Sequence, residues 1–188
     1  IPQPDRNSGS LDAVNLMKIL IAVGYEVIFV QNRNSPHDFH YIQGLKGNGV
    51  RVLLRPEFSS TLEALREFGP ELAAIIICRA PIMARFMGAC RFYAPQAKLI
   101  FNTVDLHYLR LEREAELRGD ETLRLESQVM KNFELAAFRE ADGSIVLSEY
   151  ERELLGREIT DQTLKIHTVP LIRDVPEQQK APAFADRE

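Results

Sequence analysis

The first candidate site is a polar loop close to the start of the chain, Pro4-Asp5-Arg6-Asn7-Ser8-Gly9-Ser10, directly ahead of an apolar-periodic segment. The periodic segment predicts a helix, and the first backbone N–H groups of a helix have no partner within it. These N–H groups and the positive end of the helix dipole favour a bound anion such as a phosphate. Ser8, Gly9 and Ser10 are therefore candidate phosphate-contacting residues. The alternative is that Ser10 only caps the helix.

Two further polar segments follow apolar, strand-like runs: Thr103-Val104-Asp105-Leu106-His107 and Ser148-Glu149. Because ligands of open parallel sheets bind at the carboxyl ends of the strands, we expect both segments to meet the first loop there. Asp105 and His107 can both face that crevice and are the candidate catalytic pair. Two alternatives stay open: Asp105 caps the next helix beside a solvated His107, and Ser148 caps its helix in a capping box.

The elements between these segments alternate between helical and strand periodicity. Helices are predicted at 11–23, from 35 to a stop at 47–49 with Phe39, Ile42 and Leu45 facing inward, at 60–68, at 81–92, at 109–140 with a break near Gly119-Asp120, and at 148–157. Strands are predicted at 26–30, 51–54, 72–78, 98–103, 144–147 and 166–169, with the 72–78 strand, apolar on both faces, at the centre. This alternation predicts an α/β fold, a Rossmann-like parallel sheet with helices on both faces.

One domain is expected over residues 1–171, and a linker or frayed tail over 172–188, where Pro176 and Pro182 stand among polar residues. Loops of the Gly9 type normally follow the first strand of such a sheet, yet no strand precedes this one. We therefore expect the first strand to be missing from this sequence.

Composition excludes several classes of function. The net charge of -4 and the lack of a dense Lys/Arg cluster argue against a nucleic-acid partner. Cys78 and Cys90 lie in apolar runs, which predicts buried free thiols in a reducing compartment and not a metal site. The 79–92 segment spreads its three arginines around the helix, so its apolar stripe is predicted to face the core and not a membrane. That stripe consists of Ile82, Met83, Phe86, Met87 and Cys90.

Three motifs, in order, resemble the N-terminal domain of group 1 glycosyltransferases, the retaining, sugar-nucleotide-dependent enzymes of glycosyltransferase family 4 with the GT-B fold. They are PDRNSGS at 4–10, TVDLHYLR at 103–110 with REAELRGD behind it, and ADGSIVLSEYE at 141–151. The resemblance covers nearly all of residues 1–171. It implies the N-terminal half of a GT-B glycosyltransferase, whose acceptor side is this half and whose nucleotide-sugar is held mainly by a C-terminal domain.

The resemblance also implies roles for individual residues. Ser8, Gly9 and Ser10 would approach the donor diphosphate or the transferred sugar, and His107, or Asp105 in its place, would contact that sugar. Acceptor-side positions would be Asp5, Arg6, Arg110, Ser148 and Glu149. The C-terminal domain would supply a basic residue and paired glutamates, so this chain alone is expected to be inactive.

The expected partners are a nucleotide-sugar, a sugar or lipid-linked acceptor, and the missing C-terminal domain, with no metal, no other cofactor and no nucleic acid. We expect a cytoplasmic protein, with peripheral attachment to the inner membrane face left open. Two other functions are kept: a non-catalytic module that binds a phosphorylated ligand or sugar, and a sugar-nucleotide epimerase using Asp105 and Glu149.

Overall fold

The computed structural model of the protein describes residues 1–31, 38–159 and 163–173. Helices and strands alternate along these ranges, which confirms the predicted α/β class. The helices are α1 (Ser8–Ala22), α2 (Phe39–Gly47), α3 (Thr61–Phe68), α4 (Ala80–Tyr93), α5 (His107–Arg118), α6 (Glu121–Glu140) and α7 (Glu149–Glu158). The strands are β1 (Ile28–Val30), β2 (Arg51–Leu53), β3 (Ala74–Cys78), β4 (Lys98–Asn102), β5 (Gly143–Val146) and β6 (Ile166–Thr168).

All strand pairs are parallel, as a Rossmann-like fold requires, and the strands form two sheets. The larger has the order β3-β4-β5-β6, with Ile76 opposite Ile100, and the smaller pairs β1 with β2. The prediction that the 72–78 strand is central is wrong within the described residues. There β3 pairs only with β4 and its first residue, Ala74, is exposed. An apolar run reports the burial of a strand's faces but says nothing about its neighbours in the sheet.

The main hydrophobic core fills the space between the larger sheet and helices α3 to α7. Phe101 and Phe138 are fully buried and pack edge to face, with ring centroids 5.1 Å apart. The α4 stripe faces this core as predicted: Met83, Phe86 and Cys90 are buried, with Ile82 and Met87 packed against them. Both cysteines are free thiols; Cys90 is buried and Cys78 is partly buried. Burial raises the pKa of each thiol.

A second core packs α1 and α2 against the β1–β2 sheet around Val14, Met17, Leu45, Val50 and Val52. Leu45 faces inward as predicted, whereas Phe39 is 68% exposed. Phe39 is the first residue of α2 and lies outside the packed cluster, so its position in the helical period does not bury it. The predicted helix start at Ser35, Pro36 and His37 lies outside the described residues.

Local capping signals set several helix boundaries where the sequence predicts them. Gly119 ends α5 with φ +63°, and the Asp120 carboxylate then accepts the N–H groups of Thr122 and Leu123 at the start of α6. A left-handed glycine followed by an acidic N-cap breaks the long helical tract at that point.

The chain after β6 is anchored on α1. The buried Asp12 carboxylate accepts the backbone N–H of Ile172 at 2.7 Å, and the buried Asn15 amide donates to the Ile172 carbonyl at 2.9 Å. Ile172, the first residue of the predicted tail, is therefore hydrogen-bonded to the domain. Residues 174–188 lie outside the described part of the chain.

Candidate functional site

The polar loop at the start of the chain leads into α1, and its last three residues, Ser8, Gly9 and Ser10, form the first turn of that helix. Asn7 is the N-cap, because its Oδ1 accepts the backbone N–H of Ser10 at 2.8 Å. The alternative that Ser10 caps the helix is therefore wrong. Among the described residues, the N–H groups of Ser8 and Gly9 have no acceptor. Two backbone donors thus remain available at the positive end of α1, as an anion site requires.

Gly9 lets α1 pack closely against the chain that follows β4. A Cβ atom at position 9 would lie 2.7 Å from Cγ1 of Val104, closer than real Cβ contacts come. Val104 has φ +66°, and its N–H is held by Oδ1 of Asn102 at 3.0 Å. The first turn of α1 and the 103–107 segment are consequently neighbours. The close approach gives Gly9 a packing reason that does not depend on a ligand.

A small cavity of about 70 Å³ opens beside this contact, at the carboxyl ends of β3 and β4. We call it the Arg79 cavity. Its polar lining residues are Arg79, Thr103, Asp105, His107, Arg110 and Glu134. The predicted residues Asp105, His107 and Arg110 therefore share one cavity, and Arg79, Thr103 and Glu134 join them.

Arg79 directly follows β3 and precedes α4 with φ +74° and ψ +132°. Its N–H is fixed by the carbonyl of Asn102 at 3.2 Å. In the described residues, Arg79 and Val104 are the two non-glycine positions with positive φ, and they follow adjacent strands. Such strained backbone concentrates at functional sites. The Arg79 side chain has no ion-pair partner within the described ranges.

Asp105 forms an ion pair with Arg110, with 3.0 Å between Oδ2 and Nε. Its side chain does not cap α5, because Leu106 occupies the N-cap position. The capping alternative for Asp105 is therefore wrong. About half of each side chain is exposed, so solvent screens the pair. The carboxylate still lowers the positive charge that Arg110 brings to the cavity.

The start of α5 is capped from another helix. The carboxylate of Glu134, in α6, accepts the N–H of His107 at 2.9 Å and that of Tyr108 at 3.0 Å. Burial raises the pKa of Glu134, opposed by these two hydrogen bonds. Because the carboxylate already occupies the first N–H groups of α5, they are not available to a ligand.

The His107 side chain lines the cavity and is partly buried. Burial is the main cause that lowers its pKa, followed by the charge of Arg110, while Asp105 opposes the shift. The imidazole is therefore mostly neutral at pH 7 and can hydrogen-bond a hydroxyl group without carrying charge.

Comparison with known proteins adds no identification. No protein-family model, curated protein or solved structure matches this chain.

The remaining predicted residues lie outside the lining of the Arg79 cavity. Ser148 caps α7 in a capping box with Glu151, which confirms the alternative that this serine serves the helix start. Glu149 accepts a hydrogen bond from Arg152 at 2.7 Å, and the neighbouring Thr168 hydroxyl and Arg152 lower its pKa. Asp5 accepts a hydrogen bond from Tyr41 of α2 at 3.1 Å, and Arg6 is exposed. These residues are engaged in local structure or face solvent.

The described part of the chain holds no candidate metal cluster and no candidate membrane-spanning helix. Throughout residues 1–31, 38–159 and 163–173, no group of three or more His, Cys, Asp or Glu side chains is arranged to hold a metal ion. In the same ranges, no helix has the length and apolarity needed to cross a membrane.

The sequence gives a signal for Arg79 but none for Glu134. Arg79 follows an apolar strand just as Asp105 does, so the rule that placed Asp105 at the sheet edge applies equally to Arg79. Glu134 lies within a charged helix and becomes a cap only because α5 begins beside it.

Together the site offers one unpaired guanidinium, a neutral imidazole and two backbone donors nearby, which suits an anionic ligand bearing hydroxyl groups.

Proposed function

We propose that this chain is the acceptor-side domain of a retaining glycosyltransferase that transfers a sugar from a nucleotide-sugar to a sugar or lipid-linked acceptor in the cytoplasm. The observation that carries the proposal is the packing of the α1 first turn, through Gly9, on Val104 beside the Arg79 cavity. Through this packing, the unpaired N–H groups at the start of α1 lie near the carboxyl ends of β3 and β4, where Arg79 and the neutral imidazole of His107 line the cavity.

The proposed roles follow from the charges of these groups. Arg79, which has no ion-pair partner among the described residues, would hold a phosphate oxygen. His107 would accept a hydrogen bond from a hydroxyl group of the transferred sugar or donate one to it, because its lowered pKa keeps the imidazole neutral. Arg110 would contribute less charge, since Asp105 pairs with it.

The chain alone is expected not to catalyse transfer. Retaining transfer requires strong electrostatic stabilisation of the leaving diphosphate, and one unpaired guanidinium beside two backbone donors provides only part of it. We assign the rest to the C-terminal domain of the same enzyme. A turnover assay of the purified chain with UDP-glucose and GDP-mannose checks this expectation, and released nucleoside diphosphate above the buffer control would contradict it.

Binding is tested by NMR titration of the ¹⁵N-labelled chain with UDP-glucose, GDP-mannose and glucose 1-phosphate. We expect shifts of the backbone amides of Ser8, Gly9 and His107, and at least tenfold weaker binding in the Arg79→Gln variant. The control is Arg157→Gln, which removes the same charge from exposed α7. No shift with any of the three ligands, or equal effects of the two variants, would refute the proposed site.

The Arg79 guanidinium, which has no ion-pair partner among the described residues, also fits one alternative, a non-catalytic module that binds a phosphorylated ligand or sugar. The two proposals differ in the native gene product. A native protein of about twice this mass, with a second Rossmann-like domain bearing paired glutamates, supports the transferase. A native protein of the present length that binds glucose 1-phosphate supports the binding module.

A further inference from the structure

A second and larger cavity lies at the carboxyl ends of β1 and β2, the two strands of the smaller sheet. It has a volume of about 280 Å³, close to the lower end of the range of small-molecule pockets. Arg55 lines it from the chain after β2, and Arg85 lines it from α4. We call it the Arg55–Arg85 cavity.

Positive charge dominates this cavity although the chain as a whole carries a net charge of -4. Within the part of the chain that the structure describes, neither Arg55 nor Arg85 has a carboxylate partner. Arg85 contacts the ring of Phe86, with its guanidinium carbon 5.0 Å from the ring centroid. Two unpaired guanidinium groups around one cavity attract an anion, and a phosphate suits their donor geometry.

Two carboxylates approach the lining, those of Asp38 and Glu63. Asp38 accepts a hydrogen bond from the side-chain amide of Gln31, which lines the cavity, at 2.9 Å. Glu63 accepts the N–H and the hydroxyl of Ser59 at 2.7 and 2.6 Å, and these hydrogen bonds lower the pKa of Glu63. Glu63 does not itself line the cavity. Thr61, which does, has a hydroxyl group with no partner among the described residues, so it remains available to a ligand.

The rest of the wall combines the polar residues Gln31, Ser59 and Ser60 with five apolar side chains. Leu53 and Phe86 are buried, and Val30 and Phe58 are partly buried. Leu62 lines the same cavity with 48% of its surface exposed. A small inorganic anion would leave Phe58 and Leu62 in contact with water, whereas an apolar group attached to the anion would cover them.

We propose that the Arg55–Arg85 cavity binds a phosphorylated ligand that carries an apolar body, with the phosphate on the two guanidinium groups and the body on Phe58, Leu62 and Phe86. The site is distinct from the Arg79 cavity: Ala80 and Phe86 are six residues apart on α4, about 9 Å along its axis. The proposal uses no step of the proposed transferase function, so either can fail without the other.

The test is isothermal titration of the full chain with octyl phosphate below its critical micelle concentration. Inorganic phosphate and octyl glucoside serve as the charge-only and apolar-only probes. We expect octyl phosphate to bind at least tenfold more tightly than either. Arg55→Gln and Arg85→Gln should each weaken its binding about tenfold or more, whereas the matched exposed control Arg157→Gln should leave it unchanged.

Two results would overturn the proposal: octyl phosphate binding no tighter than inorganic phosphate or octyl glucoside, or equal binding by all three arginine variants. Arg79→Gln, which should weaken sugar-nucleotide binding only, separates this site from the first. Sedimentation with phosphatidylcholine vesicles containing phosphatidic acid then identifies the source of the ligand. Arginine-dependent sedimentation assigns it to a lipid headgroup, and octyl phosphate binding without sedimentation assigns it to a soluble phosphorylated compound.

Discussion

The buried carboxylate of Glu134 holds the backbone N–H of His107 at 2.9 Å, so that a residue of α6 fixes the start of α5. The same carboxylate accepts the N–H of Tyr108 at 3.0 Å. Because His107 begins α5 at this point, Glu134 also fixes the direction in which the imidazole leaves the backbone. A side chain that contacts no proposed ligand atom thereby positions one that does.

Glu134→Ala should destabilise the protein by roughly 2–4 kcal/mol, because two N–H groups at the buried start of α5 lose their acceptor. Urea unfolding followed by circular dichroism measures the loss. Glu126→Ala, at an exposed position of the same helix, is the control and should stay within about 0.5 kcal/mol of the native protein. Similar losses in both variants would refute the capping role.

The pKa of Glu134, which burial raises against the effect of its two hydrogen bonds, makes the free energy of unfolding depend on pH. A carboxyl group whose pKa is higher in the folded state favours folding while it is protonated, and it loses that contribution as pH rises through the folded-state pKa. The stability of the native protein relative to Glu134→Gln should therefore decrease from pH 4 to pH 7. A constant or growing difference in urea midpoints would contradict the direction of the shift.

The pKa of His107 should respond to its charged neighbours in opposite directions. Arg110→Gln should raise it toward the ordinary value, since Arg110 lowers it, whereas Asp105→Asn should lower it further, since Asp105 raises it. NMR titration of the imidazole resonances measures both shifts. If both variants move the pKa in the same direction, the neighbours do not act on the imidazole as described.

Gly9→Ala should destabilise the protein by about 1–3 kcal/mol, because the new Cβ would lie 2.7 Å from the stiff, β-branched side chain of Val104. Val104→Ala should remove most of that cost, so the two substitutions should couple by at least about 1 kcal/mol in a double-mutant cycle. Gly88→Ala is the control. Position 88 faces open space on α4, and this substitution should stabilise the helix by about 0.5–1 kcal/mol.

Removal of the Tyr108 hydroxyl group should not destabilise the protein. Its ring is buried, its hydroxyl oxygen has no hydrogen-bond partner among the described residues, and burial raises its pKa to about 12. Tyr108→Phe relieves an unsatisfied polar group and should be neutral or stabilising by about 1 kcal/mol in urea unfolding. A loss above about 1 kcal/mol would mean that the hydroxyl group has a partner in solution.

Much of the fold follows from local sequence signals. Gly119 and Asp120 break the long helical tract, and Ser148 with Glu151 starts α7, because caps depend on residues within one turn. The edge position of β3 was not predictable in this way. Strand order is set by pairing between distant segments, and an apolar pentapeptide reads the same at an edge or a centre.

Some residues of the candidate site could likewise be predicted from local sequence, and others depend on contacts between distant segments. Asp105 and His107 were predictable as neighbours because they follow an apolar strand, and in the structure both line one cavity. The cap on α5 was not, since Glu134 is 27 residues from His107 in sequence. Gly9 was singled out as a phosphate-loop residue, yet its contact with Val104 is a tertiary reason for glycine that the sequence does not contain.

Substitutions of Arg79 should affect the stability of the protein and its binding of a ligand differently, because the backbone at this position is strained. With φ +74° and ψ +132°, the residue lies where only glycine is comfortable, at a cost of about 1–3 kcal/mol. Arg79→Gly should be more stable than Arg79→Ala by roughly 1 kcal/mol, because both variants lose the side chain and only one relieves the backbone. Both should bind glucose 1-phosphate at least tenfold more weakly than the native protein.

Urea unfolding and NMR titration of the two variants therefore answer separate questions. If Arg79→Gly were no more stable than Arg79→Ala, the backbone at position 79 would not be strained in solution. If either variant bound glucose 1-phosphate as well as the native protein does, the guanidinium would not hold the phosphate. We expect Arg79→Gly to be more stable than Arg79→Ala and both variants to lose binding. The strained backbone at position 79 lowers the stability of the protein, but it holds the Arg79 side chain beside Thr103 and His107.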